Sequence, residues 1–205
     1  MRAFWSLASL LTGGLIRTRG PKTGSALYLT FDDGPHPVHT PDLLAVLDRH
    51  GAKATFFMVG KAAAKHPELV RQIVAGGHAI GNHSMGHPKM RTLAPRRQWR
   101  EIDEADSVLA TFDGRTRHPF RPPNGRVTIS AVIACLLHRQ PLELWSIDSL
   151  DYRLAAPEVV ERLRARDVVD GDVMLFHDDA EHAARALETL LPRWAAAGFR
   201  FPALP

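Results

Sequence analysis

Short apolar runs alternate with amphipathic stretches along the chain from residue 26 onward. The apolar runs are rich in Phe, Ile, Val, Leu and Tyr, which is typical of buried strands. They predict seven strands, at residues 27–31, 54–59, 78–82, 119–122, 142–147, 172–176 and 199–204. The stretches between them predict six helices, at residues 41–50, 67–75, 95–109, 128–139, 157–167 and 181–197.

Strands that alternate with helices indicate an α/β fold with a parallel sheet, because each helix carries the chain back across the sheet. Two architectures fit this order, an open doubly wound sheet and a closed barrel. A complete eightfold barrel needs about 250 residues, whereas this chain has 205. A short or incomplete barrel therefore fits better, and in either architecture the chemistry lies at the carboxyl ends of the strands.

The composition excludes several classes of protein. With 45% hydrophobic and 23% charged residues, the chain is an ordinary globular sequence rather than a disordered one. Its single cysteine, Cys135, excludes an internal disulfide framework and a cysteine-based zinc finger. The chain has eleven histidines but one cysteine, so a bound metal would have nitrogen and oxygen ligands rather than sulfur ligands. The net charge of +4 is mildly basic and does not single out nucleic acid as a partner.

The first residues form an uncharged segment, 3–16, with Arg2 before it and Arg17 and Arg19 after it. This is the outline of a short signal peptide or an interfacial helix, but a clear small-x-small cleavage site is missing. We expect residues 1–24 to be an uncleaved leader or peripheral helix that can contact a membrane surface. This interpretation favours a cytoplasmic or inner-membrane-associated protein over a periplasmic or secreted one.

Paired carboxylates and paired histidines follow two of the predicted strands. Asp32 and Asp33 end the first strand, where adjacent side chains point in different directions, so one can bind a metal while the other meets a substrate. A plain turn with Asp33 as a cap explains the same residues when they are taken alone. His83 and His87 follow the third strand, and an i, i+4 spacing on a helical turn lets both bind one metal. Two incidental surface histidines would have the same spacing.

Further polar residues follow three more predicted strands. Arg121 comes after the fourth strand, where it can pair with a carboxylate and keep it ionised. The segment that contains Asp151 follows the fifth strand, and His177 follows the sixth, a suitable place for a general acid or base. An ordinary loop or a buried core histidine would explain each of these residues alone. Their joint occurrence at five strand ends indicates one reactive edge.

These five segments resemble the motifs of the polysaccharide deacetylase family, also called the NodB-homology domain or carbohydrate esterase family 4. The matching stretches occur in the family's order: TFDDGP (30–35), HSMGH (83–87), RPPNG (121–125), DSLDY (148–152) and LFH (175–177). The resemblance implies a distorted (β/α) barrel with about seven parallel strands over residues 25–205. It also implies a hydrolase that removes N-linked acetyl groups from N-acetylglucosamine in a glycan such as chitooligosaccharide or peptidoglycan.

The resemblance also implies roles for individual residues. Asp33, His83 and His87 resemble the ligands of one divalent metal ion, usually zinc, for which cobalt can substitute. Asp32 resembles the catalytic base, and Arg121 the residue that holds this base.

On the opposite side, His177 resembles the general acid and Asp151 the carboxylate that orients it. The residues implied in oxyanion and substrate binding are Pro123, Asn124, Tyr152 and Leu175. Asn124 stands where the family usually has Tyr, and Tyr152 stands where Trp is common. The backbone N–H at Asn124 is still available for an oxyanion, so these two departures bear on substrate preference more than on catalysis.

Two other functions remain open at this point. One is an amidohydrolase of a non-sugar or ureide substrate on the same barrel. The other is a carbohydrate-binding barrel that has lost catalysis. For the main interpretation we expect an N-acetylated glycan as partner, no nucleic acid, and a monomeric chain.

Overall fold

Parallel strands surrounded by helices form the fold in a computed structural model, which describes residues 14–205. The strands are β1 (Ile16–Arg17), β2 (Leu27–Asp32), β3 (Ala54–Met58), β4 (Ala79–Asn82), β5 (Leu142–Glu143), β6 (Ile147–Asp148) and β7 (Asp172–His177). The helices are α1 (His39–Arg49), α2 (Gly60–Lys65), α3 (Pro67–Ala75), α4 (Pro95–Asp113), α5 (Ile129–His138), α6 (Ala156–Arg164) and α7 (His182–Ala196). Two 3₁₀ turns lie at Met90–Thr92 and Pro123–Gly125.

The main sheet has the strand order β4-β3-β2-β7-β6, and all of its neighbouring strands are parallel. Beyond β4, parallel bridges run from Asn82 to Phe120 and from Phe120 to Leu142 of β5. Because β5 and β6 belong to the same stretch of chain, this series of contacts closes the sheet into a distorted barrel. The short strand β1 pairs with β5 and completes that side.

The barrel predicted from the sequence is confirmed, but its main sheet has five strands instead of about seven. Residues 119–122 contribute only the bridge at Phe120, since Pro119 and Pro122 have no N–H groups with which to extend a ladder. Residues 199–204, also predicted as a strand, contribute only a bridge between Arg200 and Ala26.

The predicted strand at 142–147 is interrupted between β5 and β6. At the interruption the Leu144 carbonyl accepts a hydrogen bond of 2.9 Å from the Arg121 guanidinium instead of from a neighbouring strand. The strand β1 and the helix α2 were not predicted. Segments of two and six residues are too short to show a hydrophobic period.

All six predicted helices are present, with ends that differ by at most four residues. Pro67 and Pro95 begin α3 and α4, as expected for a residue whose missing N–H would be unpaired at that position anyway. Thr128 caps α5 by accepting a hydrogen bond of 3.1 Å from the Ala131 N–H. Gly114 ends α4 at a φ of +76°, a conformation that favours glycine.

Alternate residues of β2 face opposite sides of the sheet, and both sides are buried. Leu27, Leu29 and Phe31 belong to the large core beneath the helices. Tyr28 belongs to a smaller cluster inside the barrel. By the two-residue period of a strand, Asp32 lies on the same inner face as Tyr28. The first carboxylate of the TFDDGP segment is therefore directed into the barrel mouth.

The predicted leader, residues 1–24, lies partly outside the described part of the chain. Residues 1–13 are not described, and the expectation of a leader or peripheral helix remains a prediction there. Residues 16–17 form β1, and Gly20 donates a hydrogen bond of 2.9 Å to the Gly171 carbonyl next to β7. Within residues 14–205, no helix has the length and hydropathy needed to cross a bilayer.

Candidate active site

A cavity of about 710 Å³ opens at the carboxyl ends of the strands. It is lined by nine of the eleven residues that the sequence singled out: Asp32, Asp33, His83, His87, Pro123, Asn124, Tyr152, Leu175 and His177. The other two, Arg121 and Asp151, are buried behind the cavity wall. Residues as far apart in the sequence as Asp32 and His177 thus meet in one place.

Asp33, His83 and His87 form a compact group of three possible metal ligands. The Asp33 Oδ1 atom lies 3.5 Å from His83 Nε2 and 3.2 Å from His87 Nε2. Asp33 has a φ of +79°, which an aspartate tolerates better than most residues. This backbone turn separates the direction of Asp33 from that of Asp32, so the two adjacent carboxylates have different partners.

The residues present fit a divalent metal ion. Asp33 Oδ1 is buried but has no hydrogen-bond partner among residues 14–205, as expected of an oxygen that ligates a cation. The Nδ1 atom of His83 lies 2.7 Å from the Arg121 carbonyl, a contact that assigns the proton to Nδ1 and leaves the Nε2 lone pair free. Burial lowers the pKa of His83, which favours the neutral imidazole that a metal requires.

The helical turn expected between His83 and His87 is absent. Ser84 and His87 have φ values of +67° and +53°, so the segment is an irregular loop rather than a helix. The Asn82 side chain accepts a hydrogen bond of 2.8 Å from the Ser84 N–H, and the Glu101 carbonyl accepts one of 2.8 Å from the Met85 N–H. These contacts replace the hydrogen bonds of a helix and still bring the two imidazoles together.

Asp32 forms a buried ion pair with Arg121. The Asp32 Oδ1 atom accepts a hydrogen bond of 2.7 Å from the Arg121 guanidinium, which also donates to Thr30 Oγ1 at 2.7 Å. The guanidinium carbon lies 3.9 Å from the centre of the Phe57 ring. The second carboxylate oxygen, Oδ2, lies 3.7 Å from His83 Nε2. Asp32 is thus held by one oxygen while the other faces the metal-ligand group.

His177 is held from behind by Asp151. Its Nδ1 atom lies 2.8 Å from Asp151 Oδ1, and its backbone N–H donates to Asp151 Oδ2 at 2.8 Å. Burial alone would lower the pKa of His177, but the hydrogen bond and the charge of Asp151 outweigh it and raise the pKa to about 9. His177 therefore carries a proton at neutral pH, with Nε2 as the remaining donor. Its ring meets the Tyr152 ring edge-on, at a centroid distance of 5.2 Å.

The rest of the cavity wall combines backbone and apolar groups. Asn124 has a φ of +55°, a conformation to which asparagine is better suited than an aromatic residue. Leu175 is buried at the base of the cavity, and Tyr152 is 54% exposed at its mouth.

Several cavity residues were not identified as site residues from the sequence. Asp148 and Asp179 line the side next to β6 and β7, and burial raises the pKa of each. Trp145 lines the cavity as well. Asp148 stands within the DSLDY segment together with Asp151. Residue type and spacing alone do not show which of these two aspartates contacts His177 and which lines the cavity. Asp179 follows His177 by two residues and carries no motif of its own.

Comparisons with known proteins show which family this chain is similar to. The model of the family described as "Polysaccharide deacetylase" matches residues 19–136. A chitooligosaccharide deacetylase of Sinorhizobium fredii is 32% identical over 203 residues, which are 90% of this chain and 94% of that protein. The peptidoglycan-N-acetylglucosamine deacetylase PgdA of Listeria monocytogenes is 31% identical over 180 residues, or 88% of this chain. The match spans 38% of the length of the Listeria protein.

A solved structure has the same fold. It is the crystal structure of a peptidoglycan N-acetylglucosamine deacetylase, Bc1960, in complex with a naphthalenyl-substituted N-oxidanyl-benzamide. The two chains align with a TM-score of 0.90 and 29% sequence identity, over 98% of this chain and 96% of the other. The fold is therefore shared over the aligned length.

Proposed function

This chain belongs to the polysaccharide deacetylase family, and we propose that it removes N-linked acetyl groups from N-acetylglucosamine residues of an oligo- or polysaccharide. The observation that carries the proposal is the convergence of three groups on one cavity: the Asp/His/His cluster, the buried Asp32–Arg121 pair and the His177–Asp151 pair. The names of the two relatives, one acting on peptidoglycan and one on chitooligosaccharides, support this substrate class.

Polysaccharide deacetylases are generally metal-dependent, and we infer the same for this chain. Asp33, His83 and His87 would hold one divalent ion. Two imidazoles and one carboxylate are a common ligand set for Zn²⁺ that leaves positions open, so we propose zinc, with cobalt as a substitute. When bound, such an ion would polarise the acetamide carbonyl of the substrate and lower the pKa of a bound water.

The protein groups around the ligand cluster are suited to the two proton transfers of amide hydrolysis. Asp32 acts as the base that takes a proton from the attacking water, and Arg121 fixes the orientation of its carboxylate. Asn124 lines the cavity, and we propose its backbone N–H as the oxyanion donor, a type of contact worth about 3–4 kcal/mol in other enzymes. Protonated His177 donates its proton to the departing amine, and Asp151 keeps that imidazole charged and oriented.

Acetate release from a panel of glycans tests this proposal. The panel contains chitooligosaccharides and peptidoglycan fragments, incubated with metal-stripped protein and with protein to which zinc or cobalt has been restored. We expect activity only after metal is restored, and a loss of at least about 10²-fold in kcat for Asp32→Asn. Metal-loaded, folded Asp32→Asn that keeps near-normal kcat would contradict the role of Asp32. Metal-independent hydrolysis of a ureide would favour the alternative amidohydrolase.

A further inference from the structure

The helix α5 has an unusual distribution of side chains. All four of its exposed residues are isoleucine or leucine, with exposed fractions of 82% for Ile129, 43% for Ile133, 48% for Leu136 and 67% for Leu137. Its buried side consists instead of small residues, Ala131, Ala134 and Cys135. Surface helices normally bury their large apolar residues and expose polar ones. We call the four exposed residues the α5 apolar face.

The four residues form one continuous stripe. They stand at positions i, i+4, i+7 and i+8, which share one side of a helix. The other exposed large apolar residues of the described chain are Val38, Tyr152 and Val169, and they are scattered over other segments. A stripe on one helix is therefore distinct from the ordinary exposure of single apolar side chains.

Exposed arginines border the α5 apolar face. Arg126 precedes α5 and Arg139 follows it. Arg96 and Arg97 lie on the first turn of α4, which contacts the start of α5 because the Trp99 indole donates a hydrogen bond of 2.9 Å to the Ser130 carbonyl. None of these four arginines forms an ion pair with another residue in the range 14–205.

Acidic side chains near this surface are neutralised by their own partners. Residues 114–142 contain no Asp or Glu. On α4, Asp103 and Asp106 form ion pairs with Arg117 at 2.5 and 3.3 Å. The exposed arginines at the two ends of α5 and on the first turn of α4 therefore have no acidic ion-pair partner among residues 14–205.

From these observations we propose that the α5 apolar face and its arginine border bind the surface of an anionic lipid bilayer. Isoleucine and leucine side chains would enter the boundary between headgroups and acyl chains, while the arginines contact lipid phosphates. A neutral or cationic partner would leave the arginine border unpaired, which is why an anionic surface fits better.

The same surface adjoins the candidate active site. Arg126 borders the α5 apolar face and also lines the cavity. A bilayer bound at α5 would therefore lie beside the mouth of the cavity. Binding of lipid does not depend on the reaction proposed for the cavity, so the two can be tested separately.

Vesicle flotation of the full chain tests the apolar contribution. We expect co-flotation with vesicles of phosphatidylcholine containing about 30% phosphatidylglycerol, and at least about tenfold weaker binding to phosphatidylcholine alone. The double variant Ile129→Ser/Leu137→Ser is expected to bind anionic vesicles at least about tenfold more weakly than the wild type. The control variant Val38→Ser/Val169→Ser removes two exposed apolar residues elsewhere and should bind like the wild type.

A second pair of variants tests the contribution of charge. Arg96→Gln/Arg139→Gln is expected to weaken binding to anionic vesicles severalfold and leave binding to neutral vesicles unchanged. Lys65→Gln/Arg164→Gln removes the same number of charges from other exposed positions and should have no effect. Circular dichroism confirms that each variant is folded, as expected for substitutions of exposed residues.

Three results would overturn the proposal. The first is the absence of wild-type binding to anionic vesicles. The second is equal vesicle binding by Ile129→Ser/Leu137→Ser and the wild type. If Leu7→Ser/Leu11→Ser then abolishes vesicle binding, the N-terminal residues are the ones that bind the bilayer. The third is a wild-type dimer in sedimentation that Ile129→Ser/Leu137→Ser converts to a monomer without loss of vesicle binding. That third result would identify a second copy of the chain as the occupant.

Discussion

Arg121 is the largest side chain that is fully buried within residues 14–205, and it is charged. Removing an ion pair from water is costly, so such a pair persists only when its hydrogen-bonding groups are satisfied. The Arg121 guanidinium donates to Asp32, to Thr30 Oγ1 and to the carbonyls of Glu143 and Leu144. One residue therefore joins the candidate base to the segment between β5 and β6.

Replacing Arg121 by alanine should reduce stability and activity together. The change would leave the Asp32 carboxylate buried without its counter-ion, a loss of about 3–5 kcal/mol in the free energy of unfolding. Urea denaturation measures the stability, and acetate release measures the activity. Arg121→Lys should recover little of either, because an ammonium cannot reach four acceptors spread around a planar guanidinium. A destabilisation below about 1 kcal/mol would show that Asp32 finds another partner.

The pH dependence of turnover should reveal the partnership of His177 and Asp151. Since the pKa of His177 is raised to about 9, the protonated acid persists through neutral pH, and kcat should fall as the pH rises through about 9. Asp151→Asn removes the charge that raises this pKa. Its kcat should therefore begin to fall at a lower pH, which a kcat–pH profile of both proteins measures. Identical alkaline limbs in the two proteins would exclude His177 as the acid.

At the scale of elements, a buried histidine connects the end of α4 to the barrel. His118 is fully buried, with Nδ1 at 3.1 Å from Asp106 Oδ1 and Nε2 at 3.0 Å from Asp113 Oδ1. Burial alone would lower the pKa of His118, but its hydrogen bonds to the two carboxylates outweigh burial and raise the pKa. Two residues later, Phe120 bridges β4 and β5. The charged cluster thus lies next to a part of the barrel, at Phe120, that has isolated bridges instead of a regular ladder.

Replacing His118 by glutamine should reduce the free energy of unfolding, and the size of this reduction should depend on pH. A histidine with a raised pKa in the folded state contributes most below its unfolded pKa of about 6.5, and this contribution is lost as the pH rises through the folded pKa. The difference in unfolding free energy between wild type and His118→Gln should therefore be larger at about pH 5.5 than at about pH 9.5. Denaturant titrations at the two pH values measure it. A difference that does not change with pH would mean that His118 is neutral in the folded protein.

At the scale of the whole molecule, closure of the barrel assembles the candidate site. The Cα positions of Asp32 and His177 are directly opposite each other on β2 and β7, while His83 follows β4 on the other side of β3. Parallel strands end at the same edge of a sheet. These side chains therefore meet in space although they are far apart in the sequence. Gly81, on β4, leaves room inside the barrel for the Phe57 ring, because a Cβ there would lie 2.5 Å from the ring.

Binding of metal at this edge should stabilise the entire fold, because its ligands come from separate segments. A ligand that binds only the folded state adds about 2.7 kcal/mol to the free energy of unfolding at a concentration of 100 times its Kd. We expect Zn²⁺ to raise the Tm of metal-stripped wild type and to have little effect on His87→Ala. His182→Ala, at the start of α7, is a matched control that should respond like the wild type. An equal rise in Tm for His87→Ala would place the metal elsewhere.

Much of the architecture could be predicted because it follows from local patterns. Buried strands such as β2 and β7 are continuous apolar runs, and helices such as α3 begin at a proline and bury every third or fourth residue. The five polar segments at strand ends were sufficient to select the family and nine residues of the cavity wall. Asn124 and Tyr152 departed from the usual pattern, and both still line the cavity.

The sequence alone determined the order of elements and the chemistry available at the strand ends, because both depend on residue type and short-range spacing. Only the tertiary structure decided that the main sheet has five strands, that the segment from His83 to His87 is a loop, and that the large apolar residues of α5 face outward. Those features depend on contacts between distant segments, such as Ser130 with Trp99 and Asn82 with Phe120. A hydrophobic period shows that a helix has an apolar side, but the packing partner determines whether that side is buried.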